Sequence, residues 1–483
     1  MRLLALMIAM MGLPSSALGF CGFFVSGADA ELHNNASQVA LMRKGNKTVL
    51  SMSNNYQGPP EDFAMVVPVP VVLQKEQVKT LPHDVFSKVD QLSAPRLVEY
   101  WEQDPCQRPY PRRRGMVKLS AAPQSVPMPV AAAPKDFGVT IEAQFEVGEY
   151  QIVILSAKEA NGLEGWLKAN EYTIPDGASK ALAPYIRGGM KFFVAKVNIE
   201  KVKRDDHGYA VLSPLRFDYE SEQFSLPVRL GLLNANGKQD LIVYVLHPTS
   251  RFEVANYPNV FIPSNVEVLD KVRENFGAFY AQLFDSTMAA HGNKAVITEY
   301  AWQTNGCDPC PVPPLQPSDL MTLGGDVMGV VDNSGGKTAP GRRPMPGRPF
   351  FGPASSWVLT RMHTRYSKDT LSEDLVFTEA KPVVGGRARG NGTGVEAPGA
   401  VEMSSTNNFQ GRYIIRHFWE GKVACENPIY NRWGGPPSNP KGKKKAAAAT
   451  DLANAPRGEV ELNKVVRSNL PQLKIDGMPA PKR

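Results

Sequence analysis

Val139-Thr140-Ile141-Glu142-Ala143-Gln144-Phe145-Glu146-Val147 alternates apolar and polar residues at every step. A period of two puts the apolar side chains on one face of a strand and wets the other. Gly148-Glu149 turns the chain into Tyr150–Ala157, a second strand. The ranges 38–44, 47–54 and 62–70 read as three more, with Pro68 and Pro70 confining the last to a sheet edge or strand end. Phe224, Leu226, Val228, Leu230 and Leu232 alternate again, and Asn236-Gly237 predicts a hairpin returning through 241–247.

Helical signals are fewer. Ser264-Asn265-Val266-Glu267 has the form of a capping box, and Leu269, Val272, Phe276, Phe279, Tyr280 and Leu283 follow at helical spacing. This predicts one amphipathic helix over 265–287. Leu163, Trp166 and Leu167 mark a shorter one, and 85–92 and 95–102 read as two short helices leading to Cys106. Strands with antiparallel-looking connections and few helices predict a β-rich α+β fold: antiparallel sheets, a few amphipathic helices, two insertions and a flexible tail.

The insertions and tail are set by composition. Range 108–135 holds six prolines and no acidic residue; 324–353 holds eight glycines and five prolines. From 436 onward Pro436-Pro437, Lys443-Lys444-Lys445 and an alanine run read as a basic low-complexity tail to 483, with a short element at 458–475 left open. The expected organisation is therefore 1–19 as an export signal, 20–107 as an N-terminal β part with two short helices, and 136–323 as a central α+β part. Range 354–435 is the C-terminal part.

The signal rests on Arg2, an apolar run over 3–13, and Ala17-Leu18-Gly19 as the cleavage site. No later stretch reaches 18 apolar residues, so no transmembrane segment is expected after cleavage. An exported protein, periplasmic or extracellular, sits where cysteines pair. There are five: Cys21, Cys106, Cys307, Cys310 and Cys425. Cys307-Asp308-Pro309-Cys310 has the outline of a thiol–disulfide site, but Pro311, Pro313 and Pro314 forbid the helix that would lower a thiol pKa. A structural bridge beside Cys106 and Cys425 is the preferred reading. A four-cysteine zinc site lacks its second C-x-x-C, and no metal or cofactor is expected.

The net charge of +7 is unevenly placed. Arg108, Arg112, Arg113, Arg114, Lys118 and Lys135 lie in the first insertion; Lys337, Arg342, Arg343 and Arg348 in the second; Lys441, Lys443, Lys444 and Lys445 in the tail. Together these carry +14, which leaves −7 on the rest. Charge on Pro/Gly/Ala-flanked segments, without interleaved aromatics, argues against nucleic acid and for anionic envelope polymers or lipid headgroups held by the basic loops and tail.

No G-x-S-x-G, H-E-x-x-H, phosphate-binding or dinucleotide-binding loop occurs. Arg361, His363 and Arg365 would share one strand face, able to meet a carboxylate or phosphate, or to lie solvated against Glu373 and Asp374. Asp62 is a further candidate contact, and His417 is spaced to pair with Glu420. The reading is a non-enzymatic envelope binding or scaffold module. A hydrolase with a site assembled from distant residues and a thiol–disulfide protein using Cys307/Cys310 are the alternatives.

Several stretches together resemble a known family. They are Tyr56-Gln57-Gly58 with Glu61-Asp62-Phe63-Ala64 and Val67-Pro68-Val69-Pro70; Ala94-Pro95-Arg96-Leu97 with Asp104-Pro105-Cys106; and Leu212-Ser213-Pro214-Leu215-Arg216-Phe217 with Leu226-Pro227-Val228-Arg229-Leu230-Gly231. Cys307-Asp308-Pro309-Cys310-Pro311 and Thr360-Arg361 with Glu373-Asp374-Leu375-Val376-Phe377 complete the set. The chain resembles the bacterial DUF2330 family over about residues 21–437. The resemblance implies export and one shared architecture, and supplies no activity. Members commonly carry a second cysteine shortly after the one matching Cys21, where Val25 and Ser26 stand here. That implies an unpaired Cys21 and four cysteines for two bridges, with three connectivities open.

Overall fold

The computed structural model describes residues 23–25, 36–53, 64–106, 138–170, 172, 174, 177–204, 210–234, 237–308, 310–330, 356–386, 398–399, 401–436, 447–448 and 455–479. The candidates Cys21 and Asp62, the segment 1–19 and all three basic clusters lie outside the described residues.

The architecture is β-rich α+β with mostly antiparallel sheets, as the sequence predicts. Its largest unit is an eleven-stranded sheet with Gln239–His247 at its centre. All nine residues of that strand are buried. Its odd positions Leu241, Val243 and Val245 join one core with Val39, Leu41, Met65, Ile152 and Phe193. Its even positions Ile242, Tyr244 and Leu246 join another with Ala40, Met42 and helix residues Val85, Phe86, Val89 and Leu92. One alternation thus feeds two cores, which demands apolar residues at both parities.

Against the first core packs a five-stranded antiparallel sheet ordered Phe23–Val25, Ala64–Val69, Lys191–Val197, Tyr150–Ala157, Val139–Val147. Val139–Val147 is its edge, so its alternation reads directly as half-buried against exposed. Phe23–Val25 covers only Ala64–Val66, which leaves Pro68 beyond the last ladder partner on that side. Helices Ala160–Ala169 and Ala178–Arg187 close the outer face through Leu163, Trp166, Leu167, Leu182 and Tyr185.

Five sequence expectations are corrected. Range 95–102 is not a helix: Arg96–Glu102 is a strand lying parallel to Arg412–His417, because Leu97, Val98, Tyr100 and Trp101 are better placed in a sheet. The capping box is not a cap. Ser264 Oγ donates to the Gln410 carbonyl and accepts from the Arg412 N–H, Val266–Glu267 is a parallel strand against Tyr413 and Ile414, and the helix starts at Phe276. The 224–247 hairpin does not form: the Val228 and Arg229 N–H groups donate to the Asp374 carboxylate, and a 3-10 turn Arg229–Asn234 follows. Gln239–His247 instead runs parallel to Ala36–Lys44 and antiparallel to Val358–Tyr366.

The remaining two corrections concern the appendages. Asp326–Met328 continues a helix that Gly329 ends, and Met328 and Val330 are buried, so 324–353 is not wholly an insertion. In the tail, Leu462, Val465, Val466, Leu470 and Ile475 are buried against helix Phe276–Ala290, and Ala447–Ala448 pair with Arg96–Glu102.

Candidate functional site

Strand Val358–Tyr366 does place Arg361, His363 and Arg365 on one face, but that face is interior. Arg361 is 0 % and His363 1 % exposed. Helix Asp84–Ser93 supplies Asp90, whose Oδ1 accepts from Arg361 Nη1 at 2.6 Å and from the Tyr244 hydroxyl at 2.8 Å. Strand Val296–Gln303 supplies Glu299 at a register shift between Thr298 and Tyr300, where the ladder is broken and the side chain re-aimed inward. Glu299 Oε2 meets Arg361 Nε at 2.5 Å, and Oε1 meets His363 Nδ1 at 2.8 Å and the Tyr280 hydroxyl at 2.5 Å. Asp240 Oδ1 takes the other imidazole nitrogen at 3.0 Å, and Phe284 stacks on the ring at 3.9 Å between centroids. Arg457, from the supposed tail, reaches Asp240 at 3.1 Å and Asp285 at 2.6 Å. Arg365 lies 3.6 Å from Asp240.

The electrostatics of this cluster close on themselves. Burial alone would raise the Glu299 carboxyl, but the His363 and Arg361 charges outweigh it and hold it at about 2. Burial opposes a charged His363, yet Glu299 and Asp240 raise its pKa above the ordinary value. A carboxylate at each ring nitrogen requires N–H on both, hence imidazolium. Four carboxylates, Asp90, Asp240, Glu299 and Asp285, meet four cations, Arg361, His363, Arg365 and Arg457. Glu373 and Asp374 are engaged elsewhere, so the solvated pairing expected for this strand face is overturned. With both nitrogens occupied, His363 has no atom left for general-base work.

Asp374 instead fastens the wall of a surface pocket. It accepts from the Tyr185 hydroxyl at 2.7 Å and from Arg229 Nη2 at 2.8 Å, and Arg229 lies over the Tyr185 ring at 4.9 Å. The pocket, about 340 Å³, is bounded by Lys180, Ala181 and Pro184 of helix Ala178–Arg187, by Arg229, Leu232 and Leu233, and by Lys368 and Leu371. Lys180 and Lys368 are exposed and have no ion-pair partner among the described residues. No acidic residue occupies the first turn of that helix. Lys180, Arg229 and Lys368 sit far apart in the chain, and nothing local in the sequence marks them as one site.

The cysteines are paired Cys106 with Cys425 and Cys307 with Cys310, one of the three connectivities left open. His417 pairs with Glu99 at 2.8 Å and stacks on Trp101, not with Glu420. Glu99, Asp270 and His417 are close enough to share a cation, but the Arg273 guanidinium already bonds both carboxylates. No helix among the described residues is long and apolar enough to cross a membrane.

The fold and this site define a β-rich α+β protein with a closed interior ion network and a basic surface pocket. The chain belongs to the bacterial family DUF2330, described as uncharacterised proteins conserved in bacteria, whose family model matches residues 14–378. That is shorter at the C-terminal end than the resemblance over 21–437 suggests. No curated protein and no solved structure matches.

Proposed function

We propose that the protein is an exported module of the bacterial envelope whose surface pocket is non-enzymatic and binds an anionic headgroup. The carrying observation is the pocket, where Lys180 and Lys368 stand without counter-ions among the described residues, beside Arg229 and above an apolar lining of Ala181, Pro184, Leu232, Leu233 and Leu371. A cation rim over apolar carbon suits an anion attached to a hydrocarbon. The paired cysteines fit an oxidising compartment. The closed state of the Arg361–His363 cluster supports binding over hydrolysis, since catalysis needs a group free to exchange a proton.

A pair of neutralising substitutions tests this reading. Lys180→Gln with Lys368→Gln should leave the fold intact, because both lysines are exposed and neither holds an ion-pair partner among the described residues. Each lysine near an anionic surface contributes about 1 kcal/mol. Binding to vesicles of phosphatidylglycerol in phosphatidylcholine should therefore fall roughly thirtyfold. Flotation or titration of wild type against the double variant checks it, and equal affinities would sink the proposal. Replacing Lys441, Lys443, Lys444 and Lys445 by glutamine tests the accessory contribution of the tail without removing its packed end.

A further inference from the structure

We propose that Cys307–Cys310 is a redox-active disulfide that oxidises a dithiol, independently of the pocket. The two bridges of this protein do different things. Cys106–Cys425 joins residues 319 positions apart, whereas Cys307–Cys310 spans three. Constraint of the unfolded chain grows with the length of the closed loop, so the short bridge contributes far less stability of that kind.

The loop that carries it is also held without it. The Thr304 N–H donates to the Trp357 carbonyl and the Leu315 N–H to the Thr304 carbonyl, which pins both ends. The Tyr300 hydroxyl reaches the Gly306 carbonyl, and the Gln410 side-chain amide donates to the Asp308 carbonyl between the two cysteines. Opening the S–S bond therefore leaves the loop in place.

Access and charge favour exchange. Cys310 is exposed, while Cys307 is half-buried against the apolar cluster under the loop. Behind the loop, Arg96 and Arg412 face each other in register on adjacent strands, both fully buried, and Arg96 lies 5.7 Å from the centroid of the Tyr300 ring, whose hydroxyl reaches the loop at Gly306. A thiolate produced here lies in a positive field, which stabilises the reduced form and makes the disulfide more oxidising. The missing helix after Cys307 is thus replaced by two guanidinium charges.

A thiolate of the partner dithiol attacks Cys310 Sγ; the Cys307–Cys310 bond breaks, and Cys307 leaves as thiolate. The partner's second thiolate attacks its own sulfur in the mixed disulfide, and Cys310 leaves as thiolate. The partner ends as a disulfide. Two electrons have passed to Cys307 and Cys310; the partner's two thiol protons go to water, from which the released cysteine thiolates take protons according to their pKa.

The test uses the full chain equilibrated in graded ratios of reduced to oxidised dithiothreitol, quenched with an alkylating reagent and mapped by mass spectrometry. Cys307–Cys310 should open at a ratio at least tenfold less reducing than Cys106–Cys425, with an unchanged circular dichroism spectrum. Asp308→Asn removes the negative charge that lies between the two cysteines in sequence and should move the midpoint at least threefold further in the oxidising direction. A pair protected until the chain unfolds, or a midpoint unmoved by Asp308→Asn, would overturn the proposal.

Discussion

Glu299→Gln is expected to destabilise the protein by about 3–5 kcal/mol, the cost of removing one partner from a buried ion pair and leaving the others uncompensated. The side chain is 0 % exposed and serves Arg361, His363 and Tyr280 together. Without its charge, Arg361 keeps only Asp90, and His363 keeps only Asp240. Chemical denaturation at neutral pH measures the loss; Glu373→Gln, on the surface, should stay within about 0.5 kcal/mol. A Glu299 variant as stable as wild type would show that the network contributes nothing net.

The same network sets two pH limbs. Glu299 is held at about 2, below its unfolded value, so its contribution is present above the ordinary carboxyl range and is lost as pH falls toward 2. His363 is raised, so its contribution is full below the ordinary imidazole range and is lost as pH rises through its folded pKa. Glu299→Gln should flatten the alkaline limb, because His363 then loses one of its two carboxylates. Denaturation midpoints from pH 3 to pH 9 would reveal both slopes.

Truncation before residue 455 is expected to have an effect at least as large. It removes Leu462, Val465, Val466, Leu470 and Ile475, all buried against helix Phe276–Ala290. Burial of each is worth roughly 1.5–3 kcal/mol. Together they reach the roughly 5–15 kcal/mol that holds a whole domain folded. The truncation also strips Arg457 from Asp240 and Asp285. The shortened chain should be insoluble or lack a cooperative melt, and a fully folded product would refute this. Val466→Asp, a single buried charge, should shift the melt in the same direction.

The tail shows why legibility in the sequence was uneven. Lys443-Lys444-Lys445 and the alanines set the reading of 436–483, while the five apolar residues beyond are spaced irregularly: Leu462 lies in the short 3-10 turn Leu462–Lys464, and the other four lie outside it and outside the second turn, Pro471–Leu473. Period-two strands such as Val139–Val147 were readable because each needs only its own residues. Helix Asp84–Ser93 was readable for the same reason. Arg96–Glu102 was not, since its state depends on Arg412–His417, more than three hundred residues later. The shared face of Arg361 and His363 follows from strand geometry alone. Its burial does not, because Asp90, Asp240 and Glu299 arrive from three remote elements. The pocket was invisible for a similar reason: Lys180, Arg229 and Lys368 meet only through tertiary packing.

The central strand carries a consequence for how the chain is made. Val243 lies opposite Val39 on one side and Met362 on the other. During synthesis the earlier strand waits through some two hundred residues for its neighbour, and that neighbour waits again for Val358–Tyr366. Pairings this distant in sequence form slowly and leave apolar edges open meanwhile. The early hairpin of Ala36–Lys44 with Lys47–Ser53 is therefore expected to carry one open edge until Gln239–His247 has been made.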